Sequence, residues 1–358
     1  MKRQKSIKEM RTVIDNVDRK ILELLNQRAR HSIEIGKIKK EHNREFYIPD
    51  REKEILKRLA GLNKGPMPGE SVNEIFSEIL HSSRALQKKL KIAFLGPEAT
   101  FTHQAAVKNF GSSCEYVSEK AISDVFRAVE KRRADYGVVP VENSTEGIIN
   151  HTLDMFLESE LSICAEINIA IEQCLLSVST AISSIKKIYS HPQAIAQCRN
   201  YIEEKFPTVR IIEEPSTAVA ARLAAGERTS AAIASALAAK LYGLKIIAKG
   251  IEDIAENYTR FLAIGRGYPG PSGYDRTSIM FSIKDKVGAL HDILIPFKRQ
   301  NINLTKIESR PTKRRAWEYV FFIDFEGHIE NKNVRRAIEG LKEHCVFVKI
   351  LGSYPKAD

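Results

Sequence analysis

Between Ile7 and Ile38 apolar residues recur at seven-residue spacing, in one series through Ile7, Ile14, Ile21 and Ile35 and in a second through Met10, Val17, Leu24 and Ile38. No proline interrupts this stretch and its one glycine, Gly36, comes late, so the pattern predicts one long helix with a coiled-coil-like seam. Pro49-Asp50-Arg51-Glu52 opens a second helix to about Leu62, with Pro49 in its first turn. A Gly/Pro-rich connection, Gly61 to Gly69, leads to a third helix over roughly Glu70 to Leu90. Three helices of which the first is far the longest cannot close a compact monomeric bundle. The long helix is therefore expected to meet a second chain.

From Lys91 the period changes. Short apolar runs (Ile92–Leu95, Tyr136–Val141, Lys187–Tyr189, Val209–Ile212, Ala231–Ala234, Lys245–Ala248, Arg260–Gly265) alternate with helical stretches, which predicts mostly parallel α/β structure. Beyond a Gly/Pro-rich linker, strands at Thr277–Ile283, Leu304–Ser309, Trp317–Asp324 and Val346–Leu351 and helices at Gly288–Arg299 and Asn333–Leu341 give a βαββαβ order. The expected domains are 1–90, 91–267 and 277–358, with 268–276 as linker.

Composition narrows the class. A chain of 358 residues, 43% hydrophobic and 28% charged, suits a soluble protein of two or three domains. No run approaches a membrane span, and the basic stretch Met1–Lys8 leads into no apolar segment of a signal peptide. Five scattered cysteines without a C-x-x-C pair predict reduced thiols, neither a disulfide framework nor a metal site, in a cytoplasmic protein. The net charge is +11, and residues 1–90 hold 21 Lys and Arg against 13 Asp and Glu. Such a region suits either nucleic acid or small anionic substrates. A heptad helix is the wrong element for a major-groove reader, which favours the substrates.

Two positions of the seam, Arg28 and His31, are charged or polar, and Arg11 and Lys39 lie beside it. A buried Arg28 asks for an anionic partner; at a helix end it would instead snorkel to water. Ser83 and Gln87 share one face of the third helix. Arg11, Arg28, Lys39, Arg51, Glu52, Ser83 and Gln87 together resemble the site of the all-helical chorismate mutase family, in its order and nearly its spacing. The resemblance implies that the arginines bind the two carboxylates of chorismate, Lys39 and Gln87 donate to the breaking ether oxygen, and Glu52 holds the hydroxyl. Where the family often has Asp, this chain has Ile48.

Several strands run straight into helix-start chemistry: Gly96-Pro97-Glu98-Ala99-Thr100, Asn143-Ser144-Thr145, Ser190-His191-Pro192 and Pro215-Ser216-Thr217. Helix N-termini that share a cleft offer free N–H groups to a carboxylate-rich ligand. The blocks GPEATF (96–101), PVENSTEG (140–147), HPQAIAQC (191–198), STAVAA (216–221) and ENYTRF (256–261) resemble the prephenate dehydratase family in sequence and order. That resemblance implies two α/β lobes like those of periplasmic binding proteins. It makes Thr259 the essential hydroxyl, faces it with Glu142, Asn143 and Ser144, and adds Thr100, Ser216, Thr217, Asn257, Arg260 and Phe261 as substrate contacts. Ala99 stands where that family more often has Gly.

Two motifs are set aside. Gly265-Arg266-Gly267-Tyr268-Pro269-Gly270 spells G-x-G-x-x-G, but Pro271 and Gly273 follow where the fingerprint needs a helix. His191 and Cys198 are two turns apart on one helix, so Cys198 is expected in the core. In the last domain Gly288-Ala289-Leu290 and Glu308-Ser309-Arg310 resemble the effector motifs of ferredoxin-like ACT regulatory domains. Over its whole length the chain resembles bifunctional chorismate mutase/prephenate dehydratases with a C-terminal ACT domain. The resemblance implies chorismate and prephenate as substrates, L-phenylalanine as effector, no cofactor, and a homodimer or higher homo-oligomer without nucleic-acid or membrane partners. The alternatives are a solute binder or a ligand-sensing transcriptional regulator built on the two-lobed region.

Overall fold

The computed structural model describes residues 6–254, 256–283, 286–311 and 319–357. Trp317, where a strand was expected to begin, and the basic residues 1–5 lie outside them. The chain divides into two units, one of residues up to Leu90 with Phe110–Glu115, the other of Lys91–Asn109 with the chain from Tyr116 onward.

The first unit is helical, with α1 (Ile7–Glu41), α2 (Pro49–Leu62) and α3 (Gly69–Gln87). A capping box starts α1: Ser6 Oγ accepts the Glu9 N–H at 3.3 Å, and Glu9 Oε2 accepts the Ser6 N–H at 2.8 Å. The heptad residues of α1 remain uncovered within this chain, Ile14 at 55% and Leu24 at 64% exposure. Gly36 lets α3 approach α1. A Cβ there would lie 2.9 Å from Gln87 Cβ and 3.0 Å from Gln87 Cα.

The second unit begins with an α/β lobe of β1 (Lys91–Leu95), α4 (Phe101–Phe110), β2 (Glu115–Glu119), α5 (Ile122–Glu130), β3 (Tyr136–Asn143), β4 (Gly147–Ile148), α6 (Asn150–Glu158) and β5 (Ser162–Ala170). A second lobe follows with β6 (Cys174–Ser177), β7 (Lys187–Ser190), α7 (Pro192–Gln197), α8 (Arg199–Lys205), β8 (Arg210–Glu213), α9 (Thr217–Ala225), β9 (Ser230–Ala234), α10 (Ala236–Tyr242) and β10 (Lys245–Lys249). The chain then returns to the first lobe as β11 (Tyr258–Gly265), giving sheets ordered β2-β1-β3-β11-β5 and β10-β6-β9-β7-β8. These sheets are mixed where the sequence suggested mostly parallel ones. β11 runs antiparallel to both β3 and β5, and β6 antiparallel to β9 and β10. The return strand thus starts beside the end of β3, and Thr259 pairs with Asn143.

The remainder is a four-stranded antiparallel sheet, ordered β13-β14-β12-β15, from β12 (Asp275–Ile283), α11 (Ala289–Arg299), β13 (Leu304–Pro311), β14 (Tyr319–Glu326), α12 (Lys332–Lys342) and β15 (Cys345–Pro355). Its outer face packs on the first lobe. Met280, Val320, Phe322, Leu351 and Tyr354 share one buried cluster with Phe156, Leu161 and Ile163. Gly352 permits the contact, because a Cβ there would meet the Ile163 carbonyl oxygen at 2.3 Å.

Candidate functional site

In the helical unit, Arg28, Lys39, Arg51, Glu52, Ser83 and Gln87 all line one cavity of about 550 Å³. Arg28 donates to Ser83 Oγ, which itself donates to the Ile79 carbonyl at 2.6 Å. Lys39 Nζ reaches the Phe46 carbonyl at 3.3 Å. Burial pulls both cations down from their ordinary pKa, and for Lys39 the Glu52 carboxylate works in the opposite direction. Arg51 spends its charge on Glu54 at 2.6 Å, at the exposed rim. Ile48 also lines the cavity and precedes α2 without a side-chain cap. Arg11 is not among the lining residues. At 1.5 Å rise per residue it stands about 25 Å from Arg28 along α1.

Sequence reasoning missed Arg84. Only 3% exposed, it donates to Glu52 Oε1 at 2.6 Å and to the Phe110 carbonyl at 2.8 Å, with its guanidinium over the Tyr47 ring. Its place one turn before Gln87 on the same helix face was the available signal. Burial raises the Glu52 carboxyl above the ordinary range, against the pull of Arg84 and Lys39.

Between the two lobes lies a second cavity of about 300 Å³, where Thr100, Asn143, Ser216, Thr217, Thr259 and Phe261 converge. The N-termini of α4 and α9 open onto it. Thr100 Oγ1 accepts the His103 N–H at 3.3 Å, and Ser216 Oγ accepts the Val219 N–H at 3.1 Å. Ala99 holds a left-handed φ of 68°, which accounts for the glycine preference there. Its N–H donates to His103 Nδ1 at 3.1 Å, and burial lowers the pKa of that imidazole, keeping it an acceptor. No Lys or Arg is among the lining residues of this cavity, so its provision for anions is helix N-termini.

The orientation of Asn143 is determined by its partners. Its Oδ1 accepts from Thr145 N at 3.0 Å, Thr145 Oγ1 at 2.6 Å and Glu146 N at 3.1 Å. Its amide nitrogen therefore donates to Thr259 Oγ1 at 2.8 Å and to Asn257 Oδ1 at 2.9 Å. The Asn143-Ser144-Thr145 segment forms this turn and starts no helix. Asn257 acts behind Asn143, and Ser144 Oγ accepts the Tyr258 N–H at 3.0 Å, so both brace the loop outside the lining.

Two expected contacts, Glu142 and Arg260, are not brought to the cavity. Arg260 donates to Glu166 at 3.0 Å, Asp324 at 2.6 Å and Tyr354 Oη at 3.0 Å, and Glu142 accepts from Lys306 at 2.8 Å. Burial opposes the charge on Arg260, but Asp324, Tyr354 and Glu166 hold its pKa well above the ordinary value. Side chains alternate along a strand, so neighbours of cavity-facing Thr259 and Asn143 face away. Glu146, Gln173, Gln193 and Gln197 line the cavity and were missed. Burial pushes the Cys198 thiol up to about 12 within the core, while His191 caps α7. Residues 266–274 form no helix.

In the third sheet, Ser282 pairs with Val320 and Val320 with Arg310, so the Ser282 end of β12 and the Glu308–Arg310 segment lie at one end. Gly288 is left-handed before α11, Ala289 is buried and Leu290 is exposed. Arg310 reaches Asp154 of α6 at 3.0 Å.

Comparison with known proteins gives three family matches: chorismate mutase type II over residues 10–88, prephenate dehydratase over 92–268 and the ACT domain over 277–343. A bifunctional chorismate mutase/prephenate dehydratase of Aquifex aeolicus is 50% identical over 355 residues, 98% of each chain. Its counterpart in Pseudomonas aeruginosa is 45% identical over 360 residues, 99% of each. The crystal structure of a prephenate dehydratase from Arthrobacter aurescens in complex with L-Phe is 33% identical, with a TM-score of 0.69, covering 75% of this chain and 91% of its own.

Proposed function

The chain belongs to the bifunctional chorismate mutase/prephenate dehydratase family, and from that premise we propose that its two cavities carry the two reactions in turn. Both activities reside in this one chain, which sets aside the solute-binder and regulator alternatives. In the helical cavity Arg28 and Arg51, with Arg11 of a second copy, take the carboxylates of chorismate. Lys39 and Gln87 donate to the ether oxygen as its C–O bond breaks and the new C–C bond forms, and Glu52 accepts from the hydroxyl. A pericyclic step needs no nucleophile; it gains from fixed donors aimed at developing charge.

In the interlobe cavity prephenate loses carboxylate as CO2, and the released electron pair aromatises the ring and expels the ring hydroxyl. The departing oxygen takes a proton through Thr259 and leaves as water, with phenylpyruvate as product. One observation carries this reading: Asn143 donates to Thr259 Oγ1, so the Thr259 hydroxyl keeps its own hydrogen to give. The helix N-termini at Thr100 and at Ser216-Thr217 receive the anionic groups, and Phe261 bounds the ring. L-Phenylalanine acts as effector through Gly288-Ala289-Leu290 and Glu308-Ser309-Arg310. We place the enzyme in the cytoplasm as a homodimer or higher homo-oligomer that uses no cofactor.

Thr259→Ala should abolish phenylpyruvate formation while chorismate is still consumed, and Lys39→Ala should do the reverse with supplied prephenate. Near-normal dehydratase turnover in Thr259→Ala would overturn the assignment.

A further inference from the structure

Thr259↔Asn143 and Arg260↔Glu142 are consecutive cross-strand pairs of β11 and β3, and the ladder slips by one residue immediately beyond, between Arg260 and Phe261. A bulge of this kind breaks regular pairing and re-aims side chains. The two pairs therefore take little register support from the ladder on that side. On their other edges β11 and β3 keep regular partners, Thr259↔Ile169 and Arg260↔Asn168 in β5 and Glu142↔Ile148 and Asn143↔Gly147 in β4, and between β11 and β3 further support comes from behind. Arg260 is gripped by Glu166 of β5, Asp324 of β14 and Tyr354 of β15, and Glu142 by Lys306 of β13.

The grip on Arg260 is closed and nearly dry. Ser278 Oγ bridges Asp324 Oδ1 at 2.5 Å and Tyr354 Oη at 2.6 Å, Arg276 also donates to Glu166, and the Glu166 side chain is 1% exposed. Asp324 stays ionised: burial works against it, but Arg260 and Ser278 hold its carboxyl below the ordinary range. Three of the holding groups, Asp324, Tyr354 and Lys306, thus come from the C-terminal sheet, none of them in the cavity.

We infer that Asp324 and Lys306 are positioning residues for the dehydratase, setting the Thr259–Asn143 hydrogen bond by holding Arg260 and Glu142 on the opposite face of the same two strand segments. The inference rests on the proposed role of Thr259 and Asn143. It gives the C-terminal sheet a two-residue path to the reacting groups. Movement of β13 or β14 changes the grip on Glu142 or Arg260, and each is covalently adjacent to a cavity residue.

The test uses the full chain and steady-state kinetics of both activities. Lys306→Met and Asp324→Asn should lower dehydratase kcat by about tenfold or more, the scale of a small misplacement of reacting groups, with KM for prephenate changed less than twofold. Lys306→Arg should recover most of the loss. Lys306→Glu should be as slow as Lys306→Met, and adding Glu142→Lys should restore turnover. Lys306 and Glu142 are partly exposed, so these variants remain informative if Asp324→Asn fails to fold. Dehydratase kcat within twofold of the parent in folded Lys306→Met and Lys306→Glu overturns the inference, as does failure of the Glu142→Lys exchange to restore it. Normal turnover in Thr259→Ala would instead remove the reading on which the inference stands.

Discussion

Arg84 Nη1 lies 2.6 Å from Glu52 Oε1 in the helical cavity. The Glu52 carboxyl is raised by burial and by Asp50, and lowered by Arg84 and Lys39. Its ionised form is the one that can only accept, as the proposed contact with the substrate hydroxyl requires. The acid limb of mutase kcat/KM should therefore lie above the ordinary glutamate range of about 4.3, and in Arg84→Gln it should move to higher pH, with Arg84→Lys between. Stability runs the other way. A carboxyl whose folded pKa is raised contributes stability below its unfolded pKa that is lost as pH rises through the folded value. A mutase pH profile identical in Arg84→Gln and parent would show that Glu52 ionisation is not what the reaction reads.

Gly36 and Gln87 define a second test. Alanine at 36 gains up to about 1 kcal/mol of helix propensity in α1, but its Cβ would meet Gln87 Cβ at 2.9 Å and Cα at 3.0 Å, neither of which is a free side-chain end. α3 must shift, taking Gln87 out of line with Lys39. Gly36→Ala should lose mutase turnover by about tenfold, the range set by misplaced groups, while dehydratase turnover is kept. Full mutase turnover would mean that Gln87 tolerates displacement.

What was legible in the sequence follows from how local each feature is. The heptads of α1, the proline that opens α2 and the βαββαβ order are short-range patterns, and they appear with small shifts at the ends. Strand β5 was missed although Ile163, Ala165, Ile167 and Ile169 alternate with Ser162, Cys164, Glu166 and Asn168; Glu166 and Asn168 break any continuous apolar run, and it was continuous runs that marked the strands read from the sequence. The partner of Glu166 lies 94 positions away on Arg260, and no local signal reports it. The outward direction of Arg260 and Glu142 was readable in principle from period-2 alternation, once Thr259 and Asn143 were taken to face the cavity. Their adjacency to those residues in the motifs suggested the opposite.

The exposed heptad face of α1 and the distance of Arg11 from the cavity lead to a shared mutase site. Arg11 and Lys39 stand about 42 Å apart on one helix, too far for both to reach one small dianion. In the proposed homodimer an antiparallel partner helix would bring the Arg11 of a second copy to the Lys39 end and cover residues such as Ile14 and Leu24, which are exposed in the single chain. Mixing Arg11→Ala and Lys39→Ala chains under conditions of subunit exchange should restore mutase activity, because each mixed dimer has one site with both defects and one with neither. Continued inactivity in verified mixed dimers would place both residues in one chain's site.

Removal of the C-terminal sheet is the obvious test of phenylalanine control, and the structure predicts that it fails for a physical reason. A chain ended at Gly267 would lose Asp324, Tyr354 and Arg276 from around Arg260 and Glu166, and Lys306 from Glu142. Breaking a buried ion pair from one side costs about 3–5 kcal/mol, and Phe156, Leu161 and Ile163 would lose their apolar cover as well. Such a chain should unfold at markedly lower temperature than the parent and have little dehydratase activity even without phenylalanine. Its insensitivity would then say nothing about regulation. Substitution within the full chain avoids this: Leu290→Ala removes an exposed side chain beside Gly288 and leaves the buried ion pairs in place. It should keep basal dehydratase turnover while shifting half-inhibition to higher phenylalanine concentration. A truncated chain as stable and active as the parent would refute the structural dependence, and an unchanged phenylalanine response in Leu290→Ala would take that residue out of the effector site.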